Sequence, residues 1–292
     1  MEERMIKRED SLGIPNYGVW YLETLPNQIG LEEMKDIHRF LNNLVRSKVA
    51  PEFDGKSKRI EFINYGRTQL VYVLTVDENR QYTLLVTQPA AEKNIGKREF
   101  ANLKQLSARS SNVINPMYYF QDKDNKSREV YITPYYYQAR CVGVNSTEWG
   151  MWIPEPRYHY RRFSEDERSI INSSMVAILV SLYDEKEKLG ISECRLDGGD
   201  FMIEKGFENY VLDFENMEER MKLIAARNMV QMDFKEYLER LKKELLGKLD
   251  KDEKNIILGK KIKCPMREDE VDQGILLGLK LKEKSKSKGV SL

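Results

Sequence analysis

The stretch GISECRLDGGDFMIEKGFENYVLDFENME, residues 190–218, carries the most specific pattern in the chain. A polar segment ends at Asp200, two short apolar runs (FMI and YVL) follow it, and Asp213 comes directly after the second run. Short apolar runs separated by polar turn residues are typical of β-hairpins. The pattern therefore predicts a loop and a hairpin that present two carboxylates, Asp200 and Asp213, thirteen positions apart.

The chain before this stretch predicts a long helix. Ser164 and Glu167 form an S-x-x-E capping box, which marks a helix start. Apolar residues then recur at helical spacing as far as Leu182, and Gly190 supplies a stop signal. We expect a helix of about 25 residues from this pattern.

The chain after the stretch predicts further helices and then a disordered end. Residues 221–249 have the composition and spacing of helical segments. Residues 279–292 are rich in lysine and serine and too polar to pack, which predicts a disordered basic tail.

The first half of the chain predicts a helix and a small antiparallel sheet. Apolar residues at helical spacing predict a helix at about 31–47. Three strand-like runs follow at 59–66, 69–77 and 81–89 and predict an antiparallel meander. A second helix is predicted at 97–109, and a further hairpin at 115–138. Strands first and helices later predict an α+β protein of two lobes.

The composition excludes several classes of protein. With 48 Lys and Arg against 47 Asp and Glu, the chain lacks the basic excess expected of a nucleic-acid-binding protein. Its 3 cysteines lie far apart and suggest neither a disulfide framework nor a zinc site. We see no secretory signal and no apolar run long enough to span a membrane. The expected location is cytoplasmic or otherwise intracellular.

The motifs together resemble those of the protein-kinase-like superfamily, which includes the aminoglycoside-phosphotransferase-type enzymes. The segment ECRLDGGD, residues 193–200, is similar to the catalytic loop H-R-D-L-x-x-x-N, and DFE, residues 213–215, is similar to D-F-G. Upstream, FINYGRTQLVY around Gly66 is similar to a degenerate Gly-rich loop. Glu99 corresponds to the helix glutamate that pairs with the lysine of the third strand.

The resemblance implies a two-lobed kinase-like fold with ATP and Mg²⁺ as the cofactors of an active member. It divides the chain into an N-terminal extension (1–57), a sheet lobe (58–138), a helical lobe (139–278) and the basic tail (279–292). Gly66 and Glu99 would belong to the nucleotide site, and Asp200 and Asp213 would hold the metal.

Three departures from the family pattern put catalysis in doubt. The catalytic aspartate position is occupied by Arg195, which cannot accept a proton from a hydroxyl near neutral pH. The third strand offers Val86, Thr87 or Gln88 where a lysine is usual, and the Gly-rich loop keeps only Gly66. An inactive member of the fold would explain all three losses at once.

Alternatives remain for the individual residues. Asp197 could act as a displaced base if the loop were shortened, and Asp200 and Asp213 could be turn residues rather than metal ligands. Arg195 could also pair with Asp200 or Asp213, so that a buried ion pair replaces the metal.

The sequence thus leaves three functions open. The first is a pseudokinase-like scaffold or regulator that binds a protein partner, with contact surfaces on the N-terminal extension or the aromatic segment 141–163. The second is an active ATP- and Mg²⁺-dependent phosphotransferase of the small-molecule-kinase type. The third is an α+β interaction protein unrelated to kinases.

Overall fold

The computed structural model describes most of the chain, and the structural statements that follow concern these residues only. The described ranges are 29–47, 50–55, 58–65, 68–77, 79–136, 140–141, 163–196, 199–203, 207–208, 211–212, 214–262 and 265–287. The chain divides into two compact units. The first comprises Met1–Phe100 and Pro116–Tyr135, and the second comprises Ala101–Asn115 and Tyr136–Leu292. The boundaries expected from the family resemblance stay predictions.

The first unit is built on a five-stranded antiparallel sheet. Its strands are β1 (Lys58–Tyr65), β2 (Gln69–Val76), β3 (Arg80–Thr87), β4 (Tyr118–Gln121) and β5 (Glu129–Pro134), in the spatial order β1-β2-β3-β5-β4. Helix α2 (Ile95–Ser107) lies between β3 and β4 in the chain. The predicted three-strand meander, the helix after it and the following hairpin are all confirmed.

The predicted N-terminal helix is confirmed as α1 (Leu31–Arg46), and it is part of the core of the first unit. Met34, Ile37 and Leu41 on its apolar face are completely buried, in one cluster with Leu70 and Leu84 of the sheet. A short 3₁₀ turn, Pro51–Phe53, leads from this helix toward β1. The apolar face of α1 is thus used to cover the sheet.

The second unit combines helices with short β-ladders. Its helices are α3 (Glu165–Ser181), α4 (Met217–Arg220), α5 (Phe234–Leu245) and α6 (Glu268–Ser287). Its strands are β6 (Arg140–Cys141), β7 (Leu189–Ser192), β8 (Phe201–Ile203), β9 (Phe207–Glu208), β10 (Val211–Leu212), β11 (Met221–Leu223) and β12 (Asn228–Gln231). Together with the first unit, this arrangement makes the protein a mixed α and β protein, as predicted. No helix in the described part of the chain is long and apolar enough to cross a membrane.

The start of α3 was predicted correctly, whereas its end was not. The side chain of Ser164 accepts a hydrogen bond from the backbone of Glu167, and the Glu167 carboxylate accepts one from the backbone of Ser164. The helix ends at Ser181, well before Gly190. Gly190 lies in β7, where a side chain would overlap the ring of Tyr237. This glycine is required for close packing and is not a helix stop.

The helical prediction for residues 221–249 was correct only in its second half. Helix α5 occupies Phe234–Leu245, but the preceding residues form β11 and β12. Strand β11 pairs antiparallel with β8, and β12 pairs with β7. Pairing with these strands, which are distant in sequence, overrides the local helical preference of the segment.

The predicted disordered tail was wrong over most of its length, since α6 continues to Ser287. Lys282 explains why this polar segment is ordered. Its ammonium group lies 4.2 Å from the centroid of the Phe234 ring and 5.1 Å from that of Tyr183, and it pairs with Glu185 at 2.9 Å. The lysine is only 8% exposed. A long charged side chain can cover apolar surface in this way, which a composition rule does not anticipate.

Two glycines allow α6 to pack closely against α3. A Cβ atom on Gly278 would lie 2.6 Å from the carbonyl oxygen of Ala177 and 2.6 Å from Cβ of Val180. A Cβ atom on Gly274 would lie 2.7 Å from the carbonyl oxygen of Ser173. The spacing of four residues places both glycines on the same face of α6.

We expect Gly274→Ala/Gly278→Ala to lower the free energy of unfolding by about 2 kcal/mol. Alanine favours a helix by about 1 kcal/mol per site, but the new methyl groups must push α6 away from backbone atoms of α3, and overpacking costs about 1–3 kcal/mol. Urea unfolding monitored by circular dichroism measures the change. Gln273→Ala, an exposed position on the same helix, is the control. A double variant as stable as the wild type would contradict the packing described for α6.

Candidate functional site

The structure describes three of the six residues that the sequence places in a functional site. Arg195 and Asp200 lie in the second unit, and Glu99 lies in the first. Gly66, Asp197 and Asp213 lie outside the described residues, so the predictions made for them stay predictions.

Asp200 is a buried carboxylate held by a bidentate ion pair. It lies directly before β8 and is 2% exposed. Its Oδ2 and Oδ1 atoms accept hydrogen bonds from Nη1 and Nη2 of Arg227 at 2.9 and 3.0 Å. Oδ2 also accepts a bond from the backbone N–H of Arg195 at 2.8 Å. Two parallel charge-assisted bonds from a planar guanidinium are stronger and more specific than neutral hydrogen bonds.

Arg227 lies in the segment that connects β11 and β12, and hydrogen bonds hold this segment in place. The backbone N–H of Ile224 donates to the carbonyl of Asp200 at 2.9 Å. From α2, the Asn102 amide donates to the carbonyl oxygens of Ala226 at 2.8 Å and Arg227 at 3.3 Å. These bonds fix the backbone at Asp200 and at Arg227, so that the two side chains can meet.

The sequence did not reveal Arg227, because residues 221–231 were predicted to be helical. An arginine within the otherwise apolar and neutral run LIAARNMV was the available signal. The sequence leaves open an ion pair of Arg195 with Asp200 or with Asp213, and Asp213 lies outside the described residues. In the structure, the bidentate guanidinium is that of Arg227, and Arg195 contributes its backbone N–H.

The contacts of Asp200 do not fit a divalent cation. A carboxylate offers about four lone-pair sites, and three of those on Asp200 are taken by N–H donors. A guanidinium at hydrogen-bond distance also repels a second positive charge. Among the described residues, no group of three His, Cys, Asp or Glu side chains could hold a metal ion. The role of Asp200 as a metal ligand thus stays a prediction that the geometry does not favour.

A second buried carboxylate, that of Glu244, positions the start of the Asp200 loop. It accepts hydrogen bonds from three successive backbone N–H groups, those of residues 256–258, at 2.8 to 3.2 Å. The carbonyl groups of Ile256 and Ile257 in turn accept bonds from the backbone N–H groups of Glu193 and Cys194, at 3.1 and 2.9 Å. Glu244 on α5 therefore supports the residues that directly precede Arg195.

Cys194 is a buried thiol between these two carboxylate-bound segments. It is 2% exposed. Burial raises the pKa of the Cys194 thiol well above its usual range, and the nearby charge of Asp200 raises this pKa further, while Arg227 opposes the shift. A thiol in this state is a poor nucleophile, so Cys194 packs like a small apolar residue.

Glu99 in the first unit is buried, and a neutral side chain binds it. Its carboxylate accepts a short hydrogen bond from the amide of Gln69 on β2, and this amide also lies 2.9 Å from the hydroxyl of Tyr131. In the family pattern, the partner is a lysine of the third strand. At the corresponding end of β3, Gln88 is buried and its amide lies 3.5 Å from the carbonyl of Gln69. Gln69 is thus one neutral partner of the buried Glu99 carboxylate.

We expect Glu244→Gln to lower the free energy of unfolding by about 3 kcal/mol. The amide replaces one acceptor oxygen by a donor that faces backbone N–H groups, and it removes the 3.0 Å ion pair with Arg240. Urea unfolding at constant m-value measures the loss. Glu239→Gln, on the exposed face of the same helix, should change stability by less than about 0.5 kcal/mol. Equal effects of the two substitutions would show that Glu244 does not hold the loop.

The comparisons with known proteins found no match by sequence, but they found likenesses among solved structures. No family model matches the chain, and no curated protein matches it. Among solved structures, the chain is similar to the kinase domain of maize SIRK1 (sucrose-induced receptor kinase 1), which was crystallised with AMP-PNP. The match has 16% sequence identity and a TM-score of 0.41, and it covers 81% of this chain and 73% of that one. A likeness at this level does not by itself assign the chain to a family.

Proposed function

We propose that this chain is a kinase-like scaffold that binds a protein partner and transfers little or no phosphate. The observation that carries the proposal is the bidentate pair between Asp200 and Arg227. It places a fixed positive charge at the position where the resemblance implies a metal-binding residue. Phosphoryl transfer depends on metal ions to neutralise the charge of the transferred group.

The residue at the base position supports the same proposal. Arg195 stands where the resemblance implies a catalytic aspartate, and a guanidinium keeps its protons in proteins. Its backbone N–H is used to bind Asp200. The side chain at this position could therefore not accept a proton from a substrate hydroxyl.

The first unit adds an independent loss. Glu99 is retained and buried, its carboxylate accepts a hydrogen bond from Gln69, and the sequence of β3 offers no lysine. A neutral amide supplies no positive charge for phosphate groups. The first unit thus lacks the lysine of the family pattern, and in the second unit Arg227 pairs with Asp200. Both features are consistent with a fold that binds a protein partner and does not transfer phosphate.

The sequence offers two candidate surfaces for the partner, the N-terminal extension and the aromatic segment 141–163. The apolar face of α1 is buried against the sheet, so this face of the extension is already occupied. We favour the aromatic segment 141–163 as the contact surface, and its residues 142–162 lie outside the described residues.

We expect ATP and ADP, with or without Mg²⁺ or Mn²⁺, to leave the melting temperature of the wild type unchanged. The reason is that Arg227 already binds both oxygens of the Asp200 carboxylate, which a metal ion would need. A ligand at a hundred times its Kd would add about 2.7 kcal/mol, so binding is readily seen. The substitution Arg227→Met removes the guanidinium from Asp200, so metal ions should raise the melting temperature of this variant. This increase should be absent in Asp200→Asn/Arg227→Met.

Two results would contradict this part of the proposal. A metal-dependent shift in the wild type that Asp213→Ala abolishes, with phosphate transfer from labelled ATP, would favour the active phosphotransferase. An Arg227→Met variant that folds but shows no metal effect would mean that the ion pair does not replace a metal.

Partner binding is tested separately by cross-linking in cells of the source organism. We expect a specific protein to be cross-linked to the wild type and lost when residues 142–162 are replaced by a Gly/Ser linker of equal length, because the aromatic side chains are removed. Gln273→Ala, an exposed substitution outside this segment, is the control and should retain the partner. Retention of the same partner by the linker variant would place the contact elsewhere.

A further inference from the structure

A cavity of about 510 Å³ lies in the second unit, away from the residues described above. It is formed where the C-terminal ends of α2, α3 and α6 approach one another, with α4 on one side. Its polar lining includes Arg109, Ser110, Ser111, Ser181, Glu219 and Lys284. The volume is within the range of small-molecule sites, about 300–1,000 Å³.

Arg109 brings unused hydrogen-bond donors to this cavity. Its Nη1 atom forms an ion pair with Asp184, which is the one side-chain partner that Arg109 has among the described residues. The side chain is 31% exposed. A guanidinium carries five N–H donors in a rigid fork, so one ion pair leaves donors for a ligand.

Two serine hydroxyls next to Arg109 can donate as well. Ser110 Oγ accepts a hydrogen bond from the backbone of Asn112 at 3.1 Å, which leaves its proton for another acceptor. The exposed Ser111 follows, and its carbonyl accepts a bond from Lys222 at 2.6 Å, which fixes the turn. Ser181 differs, because its hydroxyl donates to the carbonyl of Ile178 within its own helix. The donors are thus concentrated at residues 109–111.

The rest of the lining favours hydroxyl groups over a second anion. Glu219 and Lys284 form an ion pair of 2.5 Å, which presents both an acceptor and donors. The C-terminal ends of α2 and α3 also place partial negative charge at the cavity. A bare anion would be favoured near Arg109 alone, whereas hydroxyl groups could bind Glu219 and the helix ends.

We propose that this cavity binds a hydroxyl-bearing phosphomonoester of the size of a sugar phosphate. The phosphate would lie on Arg109, Ser110 and Ser111, and the hydroxyl groups would face Glu219. This site is independent of the proposed loss of phosphate transfer, since it shares none of the residues that carry that proposal.

Isothermal titration calorimetry of the full chain with glucose 6-phosphate, glucose and inorganic phosphate tests the proposal. We expect glucose 6-phosphate to bind at least about tenfold more tightly than either fragment, because each fragment makes only part of the contacts. Arg109→Lys should weaken binding about tenfold, since lysine keeps the charge beside Asp184 but loses the fork. Ser111→Ala, at an exposed position, should weaken binding about threefold.

Arg98→Lys is the matched control, because it makes the same exchange at an ion pair with Glu92 outside the cavity. It should bind glucose 6-phosphate as the wild type does. The proposal is overturned if the wild type gives no heat with glucose 6-phosphate at millimolar concentrations. It is also overturned if inorganic phosphate binds equally well, or if Arg109→Lys and Arg98→Lys behave alike.

Discussion

The carboxylate of Asp200 is only 2% exposed, and a buried charge is costly unless it is paired. Several contacts in the second unit supply or support its partners. The backbone N–H of Arg195 and the guanidinium of Arg227 both donate hydrogen bonds to it. The segment that carries Arg227 is held by Asn102 and by the backbone of Asp200 itself. Removing either member of the pair would leave an uncompensated charge in the interior, so each fixes the other.

Asp200 and Glu99 are in similar environments, although they lie in different units. Each is a buried carboxylate at a position that the family resemblance identifies, and each has a partner other than the one the family pattern implies. The partners differ in charge: a guanidinium neutralises Asp200, whereas an amide binds Glu99. Both contacts are made within the chain itself, so neither depends on a bound ligand.

Local signals in the sequence predicted the first unit well. The meander, α1, α2 and the hairpin follow from periodicity and turn residues, and the Ser164 capping box located the start of α3. The failures occurred where distant contacts decide. Strands β11 and β12 exist because β8 and β7 pair with them, and the end of α6 is ordered because Lys282 packs on aromatic rings. Arg227 could not be placed without that strand pairing, so half of the candidate site was hidden.

The contacts of Glu244 have a consequence for the order of events during synthesis. Residues 193 and 194 bond to residues 256 and 257, which are themselves held by Glu244. The chain is made from its N-terminus, so the loop before Asp200 leaves the ribosome before the segment that fixes it exists. Until residue 258 has emerged, this loop lacks its backbone partners. Completion of the second unit therefore waits for the last part of the chain, whatever the stability of its earlier helices.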